Sequence, residues 1–525
     1  MGDSSFEEEL RDALSEQAWS VAIESVETNW VALTQTNQAL LLEVINTLPA
    51  AVLADNPRLV AAKTYVNYLP VSGDRRPLRF QHRVAPVPRG LLDILVDLTS
   101  RSVSSRFQGN MAEAVALVRE AHGMIADVSD EAIASIRPVL PDIRLQWAIT
   151  LELGGELIDA NRAYERTFDE ALTFDNERIA TEAAGSLALN YALSGNRGVA
   201  EQWLSRQPGA GRETQDGPAE AAAVDTVLTA GAFARALLAV SDLRFEDAQE
   251  ALDAAPSADI DRESWAFRLF VESALARASG QSQQQLARVG ATLSTQPERL
   301  RSSGLNGWLS TMAVAELQLA LGDVGSATQT IAQLDGVTLP AAVDPVRIVR
   351  AWAALRQGDA RGALVLAAPG LSQTLISPRV TVELLVLVAA AKLELGQIEE
   401  ARVHFAAAID LVASEKLGIV LLRLTAPEQA TLLSHHRAAL EPRMLRELDS
   451  RTSAIAAPPT VQLSERERVV FRHLVQRRSV AAIAAAEHLS PNTIKTQLKS
   501  IYRKLDVNDR DGAIRVATTA PHLLA

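Results

Sequence analysis

Residues 490–505, SPNTIKTQLKSIYRKL, contain no carboxylate, although the 525-residue chain carries a formal net charge of −13. Wound as a helix at about 100° per residue, Ile494, Leu498, Ile501 and Leu505 fall in a narrow apolar arc, and Lys495, Lys499, Arg503, Thr496 and Asn492 gather opposite. Ammonium, guanidinium, hydroxyl and amide groups on one face suit phosphate oxygens and base edges in a DNA major groove, where a carboxylate would repel phosphate. An amphipathic helix with a merely solvated basic face is the competing reading. Neighbouring elements decide between them, because a reading helix must be held by its apolar side.

Those elements are legible. Ser464 with Glu467 three residues on forms a capping-box pattern, and Val470, Phe471, Leu474 and Val475 make one apolar face behind it. A second short helix over roughly 480–487 carries Ile483. The turn EHL then leads to Ser490 as N-cap, with Pro491 in the first helical position, where a missing N–H costs nothing. The expectation is a three-helix unit whose last helix shows its basic side outward.

The same residues resemble a known family. LSERERVVFRHL, then IAAAEHLSPNTIKTQLKSIYRKLDVNDRDGAIRVA, is similar to the LuxR-type (GerE-like) DNA-binding domain, with its L-T-x-R-E-x-E-V-L, I-A, S-x-x-T-V-K-x-H, I-x-x-K-L and R-x-x-A segments. Leu463, Arg466, Glu467, Val470, Ile483, Ala484, Ser490, Thr493, Lys495, Ile501, Lys504, Leu505, Arg510 and Ala513 match. The resemblance implies a helix-turn-helix regulator binding double-stranded DNA, with base-edge contacts from Lys495, Thr496 and Lys499. It further implies phosphate contacts from Ser490, Asn492, Thr493, Arg503 and Lys504, a fold-holding role for Glu467 and Arg510, and a fourth, dimerising helix near 509–518. Val469, Arg477 and Gln497 depart from the pattern, replacing a Glu, a helix-ending Gly and a His.

Upstream, short helical patterns end in a Gly-centred turn and resume with Ala: GNMAEA (109), GGELIDA (154), GNRGVA (195), GDVGSA (322), GDARGA (358) and GQIEEA (396), with DLRFEDA (242) and GQSQQQL (280) as imperfect members. Successive turns lie 36 to 47 residues apart, the length of two helices and a turn. Gly takes the left-handed conformation that ends the first helix, Ala lets the second pack closely, and each hairpin needs a neighbour to cover its apolar face. The array resembles tetratricopeptide repeats with looser spacing. DALSEQAWSVAIESVETNW and INTLPAAVLADNPRLVAAKTYVNYL read as earlier hairpins, with Ser5 and Glu8 as a capping box, and 71–91 as a connecting loop. The expected fold is all-α: a repeat domain over 1–448, a linker over 449–462 and a four-helix DNA-binding domain over 463–525. A helical array before a LuxR-type tail looks like the C-terminal half of the large MalT-like (LAL) regulators, without their nucleotide-binding ATPase module.

Catalytic chemistry finds no foothold. The chain has no cysteine, so thiolate zinc sites, cysteine nucleophiles and disulfide frameworks are excluded. No Lys follows a Gly, and no G-x-S-x-G, H-E-x-x-H or G-x-G-x-x-G occurs. His435 and His436 lack a carboxylate at ligand spacing, and the seven Trp, all within 19–352, read as core. No enzyme activity, cofactor or metal is expected. From residue 461 onward 11 Lys+Arg face 6 Asp+Glu, a net of +5, which leaves 40 basic against 58 acidic residues, −18, for the rest. The N-terminus lacks a signal-peptide pattern, and the apolar run 382–396 contains Glu383, Lys392 and Glu394, so a soluble cytoplasmic protein is expected. Arg and Ala usage suits a GC-rich bacterial genome. The expected function is a transcriptional regulator whose array receives a ligand or protein partner and whose tail binds DNA, as a homodimer on paired sites. The alternative, favoured by Arg477 and Gln497, is a protein-interaction scaffold with a silent tail.

Overall fold

The computed structural model describes residues 3–29, 33, 37–54, 56, 59, 63, 90–208, 229–255, 263, 265–335, 343–371, 377–455, 465–476, 479–505, 507, 510 and 512–514, and no strand occurs among them. The chain divides into two compact units, Met1–Arg451 and Thr452–Ala525.

The first unit begins with helices α1 (Asp3–Ser15), α2 (Trp19–Thr28), α3 (Gln38–Thr47) and α4 (Ala50–Ala54), which share an apolar cluster of their own including Leu10, Val26, Leu41 and Ile45. Helix α1 already runs from Asp3 through Ser5, two residues further upstream than expected, so the Ser5–Glu8 capping box is not its start. The expected 71–91 connection lies outside the described residues except for its last two positions.

Eight helical hairpins follow among the described residues: α5 (Leu91–Phe107) with α6 (Met111–Ala126), α7 (Leu140–Leu153) with α8 (Leu157–Thr173), α9 (Glu177–Ser194) with α10 (Arg197–Arg206), and α11 (Thr229–Ser241) with α12 (Phe245–Asp253). Then come α13 (Trp265–Ser279) with α14 (Ser282–Thr295), α15 (Gly304–Ala320) with α16 (Val324–Ala332), α17 (Val343–Arg356) with α18 (Ala360–Leu371), and α19 (Pro378–Glu394) with α20 (Ile398–Glu415). Each hairpin turns on a left-handed residue: Gly109, Gly155, Gly195, Leu243, Gly280, Gly322, Gly358 or Gly396. The fifth residue past that turn faces the preceding helix. In seven hairpins it is Ala114, Ala160, Ala200, Ala248, Ala327, Ala363 or Ala401, each 0% exposed. A larger side chain there would push the paired helices apart. The imperfect hairpin at Gly280 has Gln285 in that place, also buried.

The array winds back on itself. A Cβ on Gly109 would lie 2.8 Å from Arg299 Cβ, and one on Gly195 2.8 Å from the backbone nitrogen of Arg379. In both cases the neighbour comes between the fourth and fifth hairpin turns further along the chain. Arginines fasten these returns. Arg106, 2% exposed, donates to Glu263 at 2.6 and 2.8 Å, to Thr150 Oγ1 at 2.8 Å and to Gln146 O at 3.1 Å. Arg379 donates to the carbonyls of Leu193 (3.0 Å) and Ala192 (3.3 Å) at the α9 C-terminus, where a cation suits both the open carbonyls and the helix dipole. Arg443 donates to Asp242 O and Leu243 O at 2.8 and 3.3 Å.

The tryptophans are mostly structural: Trp147, Trp203, Trp265 and Trp352 are buried, while Trp19 and Trp308 pack against the apolar clusters. The apolar run that begins at Val382 lies within α19, where Val382–Ala391 is buried in the core except Leu385. Among the described residues no helix is long and apolar enough to cross a membrane. Two further helices, α21 (Ala426–Leu433) and α22 (Pro442–Ile455), close the array, so helix continues into the stretch expected as linker; 456–462 lies outside the described residues.

Candidate nucleic-acid interface

The second unit contains α23 (Glu465–Val475), α24 (Val480–Ala486) and α25 (Pro491–Lys504). Helix α25 packs on both others through Ile494 and Ile501, each 0% exposed, with Leu498 and Leu505 beside them. These meet Val470, Phe471, Leu474, Ile483, Ala484 and Ala513 in one small core. The expected apolar seam is therefore the seam that is buried.

Local signals fix the ends. Ser479 Oγ accepts from the Ala482 N–H at 3.2 Å and caps α24. Ser490 Oγ accepts from the Thr493 N–H at 3.1 Å and lies 2.8 Å from Thr493 Oγ1, so it caps α25 as its sequence predicts. Between them His488 takes a left-handed conformation, φ 54°, and the Leu489 N–H donates to Ala484 O at 2.9 Å. Ser464 and Arg477, whose capping and turn roles were read from sequence, lie outside the described residues.

Polar contacts lock α25 to its support. Glu467, 8% exposed, accepts from Ser500 Oγ at 2.8 Å and from Lys504 Nζ at 2.6 Å, which ties α23 to the last turns of α25. Arg510 Nη2 donates to Leu474 O at 3.2 Å, and His473 Nε2 lies 2.7 Å from Glu487 Oε1. Both residues expected to hold the fold, Glu467 and Arg510, bridge elements in this way. Sequence reasoning missed the Ser500 and His473 contacts. The single available signal was the spacing of Ser500 and Lys504, one helical turn apart beside the apolar seam, and it does not name a partner 33 residues away.

On the opposite side Ser490, Asn492, Thr493, Lys495, Thr496 and Lys499 are all exposed. Among the described residues neither Lys495 nor Lys499 is ion-paired, so both ammonium groups are available. Thr496 Oγ1 donates back to Asn492 O at 3.0 Å, which leaves its lone pairs to accept. Lys504 instead turns onto Glu467. Arg503 belongs to α25, but its side chain is outside the described residues, and of the expected fourth helix only Arg510 and 512–514 are described, as helix. Gln497 is half-buried, with Oε1 enclosed and lacking a donor among the described residues.

Residues 461–517 match the family model described as "Bacterial regulatory proteins, luxR family". Two relatives from Mycobacterium tuberculosis, strains CDC 1551 / Oshkosh and ATCC 25618 / H37Rv, each carry the name "Probable transcriptional regulatory protein NarL" and are each 42% identical over 62 residues. That stretch is 12% of this chain and 29% of each relative, so the chain spans less than a third of the length of the curated relatives it matches. Three helices around one apolar core, a capped third helix with Lys495 and Lys499 exposed, and the family match over the same residues make the C-terminal segment 461–517 a LuxR-family helix-turn-helix domain.

Proposed function

We propose that the chain is a sequence-specific transcriptional regulator, with 463–525 binding double-stranded DNA, 1–448 forming the repeat domain that receives a small-molecule or protein effector, and 449–462 joining them. The observation that carries this reading is the outward, carboxylate-free face of α25, held from behind by its buried seam. In this reading Lys495, Thr496 and Lys499 meet base edges, and Ser490, Asn492, Thr493 and Arg503 meet phosphates, as the family resemblance implies; the exposure of Lys495, Thr496 and Lys499 supports it. Lys504 reaches a phosphate only by sharing its ammonium with Glu467. The relatives' printed name supports the regulatory class. Two copies on paired half-sites would give the site a two-fold symmetric sequence. With −18 on the rest of the chain, affinity rests on few cationic contacts and falls steeply with salt.

The test is selection of bound fragments from genomic DNA by the full chain, repeated with Lys495→Ala/Lys499→Ala. A short, roughly palindromic motif that disappears in the double variant is the expected result. Sequence-blind binding, or none, gives the chain instead to the scaffold reading, in which the array binds a protein and the tail is silent.

A further inference from the structure

Where the array winds back on itself it encloses a cavity of about 350 Å³, lined by residues from α8 to Arg423, near the lower end of the ~300–1,000 Å³ typical of ligand sites. Phe270, Trp308, Met312 and Ile348 supply apolar wall. The Phe270 and Trp308 rings stack with centroids 6.5 Å apart, and Trp308 Nε1 is buried without an acceptor among the described residues.

Six charged side chains also line it, and their pairing is uneven. Arg423 holds both inner carboxylates, Glu316 through Nη2 and Glu383 through Nε at 2.7 Å. Asp344 is answered by Arg347, one helical turn away. Arg379 is spent on two carbonyls and Ser241 Oγ. Arg277 remains. Its side chain is 17% exposed, its one carboxylate oxygen within 4 Å is Glu316 Oε2 at 3.9 Å, and it makes no hydrogen bond among the described residues. Three guanidinium groups thus face two carboxylates that a single arginine already engages. A desolvated guanidinium with unused donors is costly, and a bound anion relieves that cost.

We infer that this cavity binds a small organic acid, its carboxylate on Arg277 and its apolar body against Phe270, Trp308 and Ile348. A carboxylate fits the planar fork of the guanidinium in two parallel hydrogen bonds, and the stacked aromatic wall calls for a body of ring size. The inference deepens the effector role proposed for the array and depends on that role only for its regulatory meaning.

The experiment uses the full chain without DNA. Benzoate, phenylacetate and hexanoate are titrated against their amides and against chloride and inorganic phosphate, following Tm and tryptophan fluorescence. At least one carboxylate should raise Tm saturably by roughly 2–4 °C while its amide does not, and Arg277→Met should abolish the rise. Arg277→Met removes only the 3.9 Å contact to Glu316, which Arg423 still engages, so the variant should fold, and Ile348→Phe, which fills the cavity and keeps the arginine, should lose the same response. A wild-type chain indifferent to all three acids, equal shifts from amides or inorganic anions, or a response that survives both variants overturns the proposal. Because this readout needs no operator, failure to find a DNA motif defeats the regulator reading alone, and failure of the thermal shift defeats the pocket alone.

Discussion

The arginines that fasten the repeat array point inward, and the lysines on the α25 face of the tail point outward. In the array, Arg106, Arg379 and Arg423 are largely buried and spend their donors on carboxylates, carbonyls and hydroxyls far away in sequence. In the tail, Lys495 and Lys499 stand exposed on a helix whose polar locks, Glu467 to Ser500 and Lys504, lie at its flank. The planar, multidentate guanidinium fixes geometry within a solenoid, whereas flexible ammonium groups can follow phosphates and base edges on a partner. These buried arginines of the array are thus structural, and the charge on the α25 face is available for binding.

Separate substitutions break that comparison cleanly. Under the proposed function, Lys495→Ala/Lys499→Ala removes two major-groove contacts worth about 1–3 kcal/mol each, so operator affinity should fall on the order of 10²–10⁴-fold while the urea midpoint of the chain stays unchanged. Electrophoretic or anisotropy titration at fixed salt measures it. Arg106→Ala should do the reverse. It removes the two hydrogen bonds to Glu263 and opens the contact between hairpins far apart in sequence, costing about 3–5 kcal/mol by analogy with other broken buried pairs. Equilibrium unfolding should show that loss with specific DNA affinity retained below the transition. If Arg106→Ala abolished operator binding in the folded protein, the division of labour would be wrong.

A third substitution probes a charge the array suppresses. Burial pushes the Glu152 carboxyl up to about 7 from its ordinary 4.5, although Tyr164 OH donates to Oε2 at 3.0 Å. Tyr164 and Asn190 both favour the charged carboxylate, and burial outweighs them. The folded chain keeps the carboxyl proton where the unfolded chain has lost it. The associated stability is therefore present below about pH 4.5, falls as pH rises toward about 7, and is absent above it. Glu152→Gln should remove that slope and be more stable than the parent at alkaline pH, by on the order of 3 kcal/mol at most. Urea midpoints of both proteins across this range give the test. Parallel pH profiles would show that Glu152 ionises normally.

The hairpin turns and the tail helices were legible because both rest on local physics. A left-handed turn wants glycine, and the fifth residue beyond it wants a small side chain; the buried seam of α25 follows from helical periodicity alone. Leu243 shows the limit, since a non-glycine residue in the same conformation still completed the pattern through Phe245 and Ala248. What stayed hidden depends on partners far away in sequence. Arg106 with Glu263, Arg379 with the end of α9, and Arg277 at 3.9 Å from a Glu316 that Arg423 already holds exist only once the array has wound back. Lys504 is the equivalent case in the tail: its position fits phosphate contact, and its ammonium meets Glu467.

That winding can be weighed against local turn geometry with two glycines. Gly109 and Gly280 have nearly the same conformation, φ 80° and 78°, and each ends the first helix of a hairpin. A Cβ at Gly280 meets nothing within 4 Å, whereas one at Gly109 meets Arg299 Cβ at 2.8 Å and the Arg299 backbone at 3.0 Å. Gly280→Ala should therefore cost only the left-handed penalty of about 1–2 kcal/mol. Gly109→Ala adds the displacement of a backbone that cannot simply rotate away, about 1–3 kcal/mol more by analogy with overpacked cores. The difference between the two urea midpoints isolates the contact between distant hairpins from the turn itself. Equal losses would mean that the return of the array is loose enough to admit a methyl group, and that Arg106 and Arg379, rather than close backbone approach, set its pitch.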